Sequence, residues 1–112
     1  MAYNETLANR VRERFSELEN VEEKYMMGGL VFMYNAKMCV GIMGDDLMCR
    51  IDPALMETLL EHNSSRVLTF TGRASKGFIL VDETGTRTKK ELDYWLKFAI
   101  DFNKFAKSSR KK

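Results

Sequence analysis

A chain of 112 residues has room for one ordinary domain and not two, and at this size folding buries roughly two thirds of the unfolded surface, so one core suffices without staples. With 45% hydrophobic and 30% charged residues, the composition excludes a disordered or membrane-embedded chain. The net charge of +2 is unevenly spread: residues 104–112 hold five basic side chains and no acid, which leaves −3 on residues 1–103.

In chain order, the first helix is expected from Asn4 to Leu18. Leu7, Val11, Phe15 and Leu18 recur every three or four residues, and Asn4 is suited to cap the free amides. Between Lys24 and Ile51 the period changes. Apolar runs at Tyr25–Tyr34, Met38–Met43 and Leu47–Ile51 are separated by Asn35-Ala36-Lys37 and Gly44-Asp45-Asp46, the pattern of a three-stranded antiparallel meander. These strands carry Met26, Met27, Met33, Met38, Met43 and Met48, and their near-continuous apolarity predicts that both sheet faces are covered. A turn centred near Asp45 sets Cys49 opposite Gly41. That leaves Cys39 and Cys49 diagonal to one another and poorly placed for a disulfide, so both are expected as free thiols in a reducing cytoplasm.

Asp52-Pro53 signals a second helix, with Leu55, Met56, Leu59 and Leu60 as its buried stripe and His62-Asn63-Ser64-Ser65 as its end. Val67–Phe70 reads as a short strand or an ordered loop. Gly77–Asp82 reads as a strand, followed by a turn at Glu83-Thr84-Gly85-Thr86. The last helix has the clearest start: Thr88-Lys89-Lys90-Glu91 fits a capping box, and the helix should run to about Ala106. At about 100° per residue, Leu92, Leu96 and Ala99 share one direction, while Tyr94, Phe98, Phe102 and Phe105 lie well to one side. The apolar arc of about 240° exceeds what one sheet face covers. Its surplus calls for another helix, a second copy of the chain or a different partner. The clustered strands and helices predict an α+β domain over residues 1–107, followed by a basic disordered tail at 108–112.

Chemistry is sparse. His62 is the single histidine, placed at a helix end, where the helix dipole or solvent is its ordinary company. One histidine and two cysteines at this spacing make no zinc site, no cofactor motif is present, and no nucleophile is paired with a base. A non-enzymatic, cofactor-free protein is therefore expected. Gly28-Gly29 lies in a strand run rather than opening a helix, and reads as a bulge or a close backbone approach. Arg66, Arg73 and Lys76 form a small basic set, an anion contact or simply a solvated surface; with the basic tail it is the route to weak nucleic-acid binding. No signal peptide or membrane span is expected.

Three segments together resemble a known family. Met26-Met27-Gly28-Gly29 is followed by Phe32, then by Lys37-Met38-Cys39-Val40-Gly41, Gly44-Asp45-Asp46-Leu47 and Arg50. After a gap come Gly72, Lys76-Gly77-Phe78 and Val81, with Leu92 and Trp95 in the closing helix. This order and spacing resembles the N-terminal domain of TfoX (also called Sxy), with Met27 standing where that family usually has an aromatic residue. The resemblance implies an antiparallel sheet flanked by helices, similar to secretion chaperones, with the motif residues mainly structural. It also implies an accessory role in bacterial transcription or competence regulation, beside a cyclic-AMP-dependent activator. The chain is expected to lack the helical C-terminal domain of the full regulator. A protein partner, either a transcription factor or a second copy, is the expectation that follows, with Tyr94, Phe98, Phe102 and Phe105 as its surface.

Overall fold

The computed structural model describes residues 3–26, 28–70 and 73–106. Helix α1 spans Glu5–Phe15, with the Asn4 side chain accepting from the Leu7 amide at 3.0 Å. It stops short of Leu18 because Ser16 turns its hydroxyl back to the Glu13 carbonyl. Leu18 still packs against the core from the turn that follows.

Six strands form one antiparallel sheet in the order β1-β2-β3-β4-β6-β5: β1 Val21–Met26, β2 Gly29–Tyr34, β3 Lys37–Met43, β4 Asp46–Arg50, β5 Ser65–Phe70 and β6 Arg73–Val81. The meander thus has four strands rather than the three expected. The run Tyr25–Tyr34 is broken at Gly28, whose φ of 77° lets β1 and β2 fold onto each other. Strand β1 is concealed in the sequence because Glu22, Glu23 and Lys24 are exposed on an edge and supply no apolar run.

The Cys49 register also differs from expectation. The β3–β4 turn holds two residues, Gly44-Asp45, so Met43 pairs with Asp46 and Cys49 pairs with Val40, not Gly41. A positive φ of 62° at Gly44 makes that tighter turn accessible. Cys39 is the extra residue where the β2–β3 register shifts, and it points into the core with Val40. Both thiols are free and buried.

The Asp52-Pro53 signal opens a 3-10 turn, Pro53–Leu55, capped by Asp52 on the Ala54 amide at 2.9 Å, and then the single-turn helix α2, Met56–Leu59. Of its expected stripe only Leu59 is fully buried, while Met56 and Leu60 are half-buried and Leu55 is exposed. Four helical residues are too few to carry a whole apolar face. Val67–Phe70 falls within strand β5. Helix α3, Lys89–Asn103, begins at the expected capping box, with Thr88 and Glu91 bonded reciprocally at 3.0 and 3.1 Å. It ends three residues early, and Ala106 is buried from the following turn.

Strand alternation assigns the two faces. Leu30, Phe32, Val40, Ile42, Leu47, Cys49, Ile79 and Val81 form one core with Leu7, Val11 and Phe15 of α1, Leu59 of α2 and Leu92, Trp95, Leu96 and Ala99 of α3. All three helices therefore lie on that face. The opposite face presents Val31, Met33, Gly41 and Met48, which are buried, and Met38, Met43, Phe78 and Leu80, which are half-buried. It closes over itself. A side chain at Gly41 would sit 3.2 and 3.4 Å from the methyl groups of Met48 and Met43, and one at Gly29 would sit 2.8 Å from the Met43 sulfur. The two glycines leave the room into which the methionines lie. No helix of the described residues is long and apolar enough to cross a membrane.

Candidate docking surface

Helix α3 is anchored from inside. Leu92, Trp95, Leu96 and Ala99 are buried, and the Trp95 indole donates to the Gly85 carbonyl at 3.0 Å. At the far end the buried Asn103 side chain donates to the Tyr34 carbonyl at 3.0 Å and accepts from Asn35 at 3.3 Å, while Lys37 donates to the Asn103 carbonyl at 3.1 Å. Asn35 and Ala36 form the β2–β3 turn with φ of 55° and 64°, the geometry of a tight hairpin. At the start of the helix Arg10 donates to the Thr88 carbonyl at 3.2 Å, so the helix is held at both ends by polar contacts and along its middle by the core.

One strip of the helix is left over. Tyr94 is 40% exposed and Phe105 is 70% exposed, with Phe98 and Phe102 half-buried between them. Spacings of four residues keep the rings of Tyr94, Phe98 and Phe102 on one side of the helix, and Phe105 follows in the turn after its end. The N-terminal end of the strip is an aromatic cluster: Tyr94 lies edge-to-face with Trp95, Phe98 and His62, with centroids 5.0, 5.0 and 5.5 Å apart. His62 Nε2 is 3.0 Å from the Tyr94 hydroxyl, and its ring also meets Trp95 at 5.1 Å. A cleft of about 340 Å³ opens here between Ser64, Thr84, Lys90 and Glu91. Sequence reasoning located the strip, but not the role of His62 as its brace. No periodicity links residue 62 to residue 94; the link is made by the loop between α2 and β5. Asn103 was likewise legible only as a polar residue on the helix's core side.

Several of the family-motif residues make contacts within the scaffold. Met26 is half-buried at the end of β1, Gly28 makes the β1–β2 turn, and Gly29 and Gly41 accommodate the methionines. Asp45 is exposed and accepts from the Asn4 side chain at 3.1 Å, tying the β3–β4 turn beside Gly44 to the start of α1. Arg50 lies over the Phe78 ring at 5.6 Å. Gly77 has a φ of 87° and accepts from the Ile51 amide, and Trp95 is buried as above. Met27 and Gly72 lie outside the described residues.

Of the small basic set, the side chains of Arg66 and Lys76 are described, and both are exposed. Arg66 is engaged by Asp46. It pairs across the sheet with Leu80, whereas Lys76 falls within the register shift between β5 and β6. The Arg73 side chain and the basic tail, residues 107–112, lie outside what is described. A cleft of about 450 Å³ between α1 and α3 mixes Arg10, Arg14, Arg87 and Lys89 with Glu13, Glu17 and Asp93. Its charges largely answer one another: Arg14 is 3.8 Å from both Glu17 and Asp93. Among the described residues no three His, Cys, Asp or Glu side chains gather within metal-binding range. Burial pushes the Cys39 thiol up to about 12 and the Cys49 thiol higher than its ordinary value, so neither is an available nucleophile at neutral pH.

Comparison with known families matches the TfoX N-terminal domain over residues 13–103. The chain belongs to that family. The matched span runs from the middle of α1 to the end of α3, so the TfoX N-terminal domain here includes the whole sheet and the Trp95 and Asn103 anchors of α3. Comparisons with curated proteins and with solved structures give no match.

Proposed function

We propose that this TfoX N-terminal domain is a non-enzymatic protein-docking module, an accessory factor in transcription or competence-type regulation, and that α3 carries its docking surface. One observation carries the reading: Tyr94 stands exposed on a helix whose opposite face is packed, and Phe105 stands exposed in the turn just after that helix. Aromatic side chains bury about 150–250 Å² each, so these two alone leave roughly 160–280 Å² of ring surface in water. With Phe98 and Phe102 between them, the patch approaches the size that marks interaction sites on monomers. Aromatic anchors are also the residues that dominate binding energy at protein interfaces.

The test is affinity capture from a bacterial lysate with the full chain and with Phe105→Ala, alongside anisotropy of a labelled DNA duplex. A protein retained by the wild type and lost from the variant is the expected result. Duplex binding that persists at physiological salt, with no protein retained, would replace the docking reading with a nucleic-acid one.

A further inference from the structure

The aromatic strip is flanked by a row of lysines. Lys90, Lys97 and Lys104 are all exposed and recur every seven residues, which places them in a row about 10 Å apart along the flank of the strip that faces away from the core. The carboxylates that share the helix are mostly committed elsewhere. Glu91 accepts from the Thr88 amide in the capping box, and Asp93 lies 3.8 Å from Arg14. Asp101 is the remaining exposed acid beside the strip. The sequence that follows α3 adds Lys107, Arg110, Lys111 and Lys112 and no acid. A hydrophobic ridge bordered by a lysine row is the complement of a segment with apolar anchors on one side and carboxylates beside them.

We propose that the α3 strip docks an acidic amphipathic helix of a partner protein, its apolar residues on Tyr94, Phe98 and Phe105 and its carboxylates along Lys90, Lys97 and Lys104. The proposal rests on the docking reading above and specifies the partner's chemistry. A second copy of the chain packed antiparallel on the strip is disfavoured, because that isologous contact brings the lysine row alongside its own image. Nucleic acid is disfavoured by the geometry of the rings. The rings of Tyr94, Trp95 and Phe98 stand at 84° and 85° to one another, so they offer no parallel shelves for successive bases.

The test uses a labelled helical peptide of about 16 residues, long enough to span the strip. It carries leucines at helical spacing and glutamates on one flank, and is compared with an analogue in which glutamine replaces every glutamate. Anisotropy is measured with the full chain in buffer of about 50 and about 200 mM salt. Three exposed charge pairs should favour the acidic peptide by about tenfold at the lower salt. The charge reversals Lys97→Glu and Lys104→Glu together should erase that preference, and Phe98→Ala should weaken both peptides. Circular dichroism confirms that each variant is folded. Equal binding of the two peptides, still lost in Phe98→Ala, overturns the acidic partner while the docking reading survives. Binding of neither peptide up to about 1 mM overturns the proposal at an affinity far below that of specific complexes. A dimer in sedimentation that Phe105→Ala dissolves would assign the strip to a second copy, and tighter binding of an oligothymidylate than of the acidic peptide would assign it to nucleic acid.

Discussion

The two faces of the sheet solve the same problem by different means. On one, three helices lower Leu, Val, Phe and Trp side chains onto the strands, and the core is shared between layers. On the other, no helix packs among the described residues, and the strands cover themselves by laying methionine side chains across two glycines. The first solution needs long-range pairings between distant segments. The second uses only neighbouring strands and an unbranched side chain that adapts its path. Residues with no helix above them, Val31 and Met48 among them, are as fully buried as the helix-covered core. Apolarity on both sides of a strand therefore does not by itself require a layer on both sides.

The sharpest way to break that comparison is on the helical face. Trp95→Ala should cost about 3–5 kcal/mol in urea denaturation, because it opens a cavity and leaves the Gly85 carbonyl without its donor. A loss no greater than that of an exposed residue would mean that α3 is not a structural layer. On the methionine face, Gly29→Ala should cost about 1–3 kcal/mol, since the added methyl meets the Ile42 carbonyl and the Met43 sulfur. Met43→Leu measured beside it separates the backbone clash from methionine packing, and should be nearly silent.

A gentler probe uses the two thiols, both on the helical side. Their pKa is raised in the folded state, so the unfolded chain releases protons first as pH climbs past the ordinary value of 9.0. Stability is unaffected below that value and declines as pH rises toward about 12 for Cys39. By pH 10 the loss from Cys39 should be on the order of 1 kcal/mol, and it should shrink in Cys39→Ala. Smallest of all, Phe105→Ala should leave stability within about 0.5 kcal/mol, as expected for a ring that is 70% exposed. A large loss there would move Phe105 from the docking surface into the scaffold.

What the sequence made legible follows from how local each signal is. The α3 capping box lies within four residues, and the Asp52-Pro53 start within two; both appear where expected. The α+β class and the exposed aromatic strip also follow from periodicity along single segments. Strand β1 was missed because Glu22-Glu23-Lys24 answers to an edge position, and edge positions are set by the sheet rather than by the strand. The Cys49 register was missed by one residue because Gly44-Asp45-Asp46 supports a two- or three-residue turn equally well until the glycine's φ is known. The bracing of Tyr94 by His62 and of α3 by Asn103 depends on residues 32 and 66–69 positions apart, beyond any local pattern.

The polar clamp at Asn103 has a consequence for association. Because Tyr34, Asn35 and Lys37 already hold the C-terminal end of α3, Tyr94, Phe98 and Phe102 are mounted on a helix fixed before any partner arrives. Docking then needs little ordering of this chain, and the entropy loss falls mainly on the incoming segment. Such a surface favours partners that fold as they bind, and its occupancy should be governed by how readily each of them becomes helical.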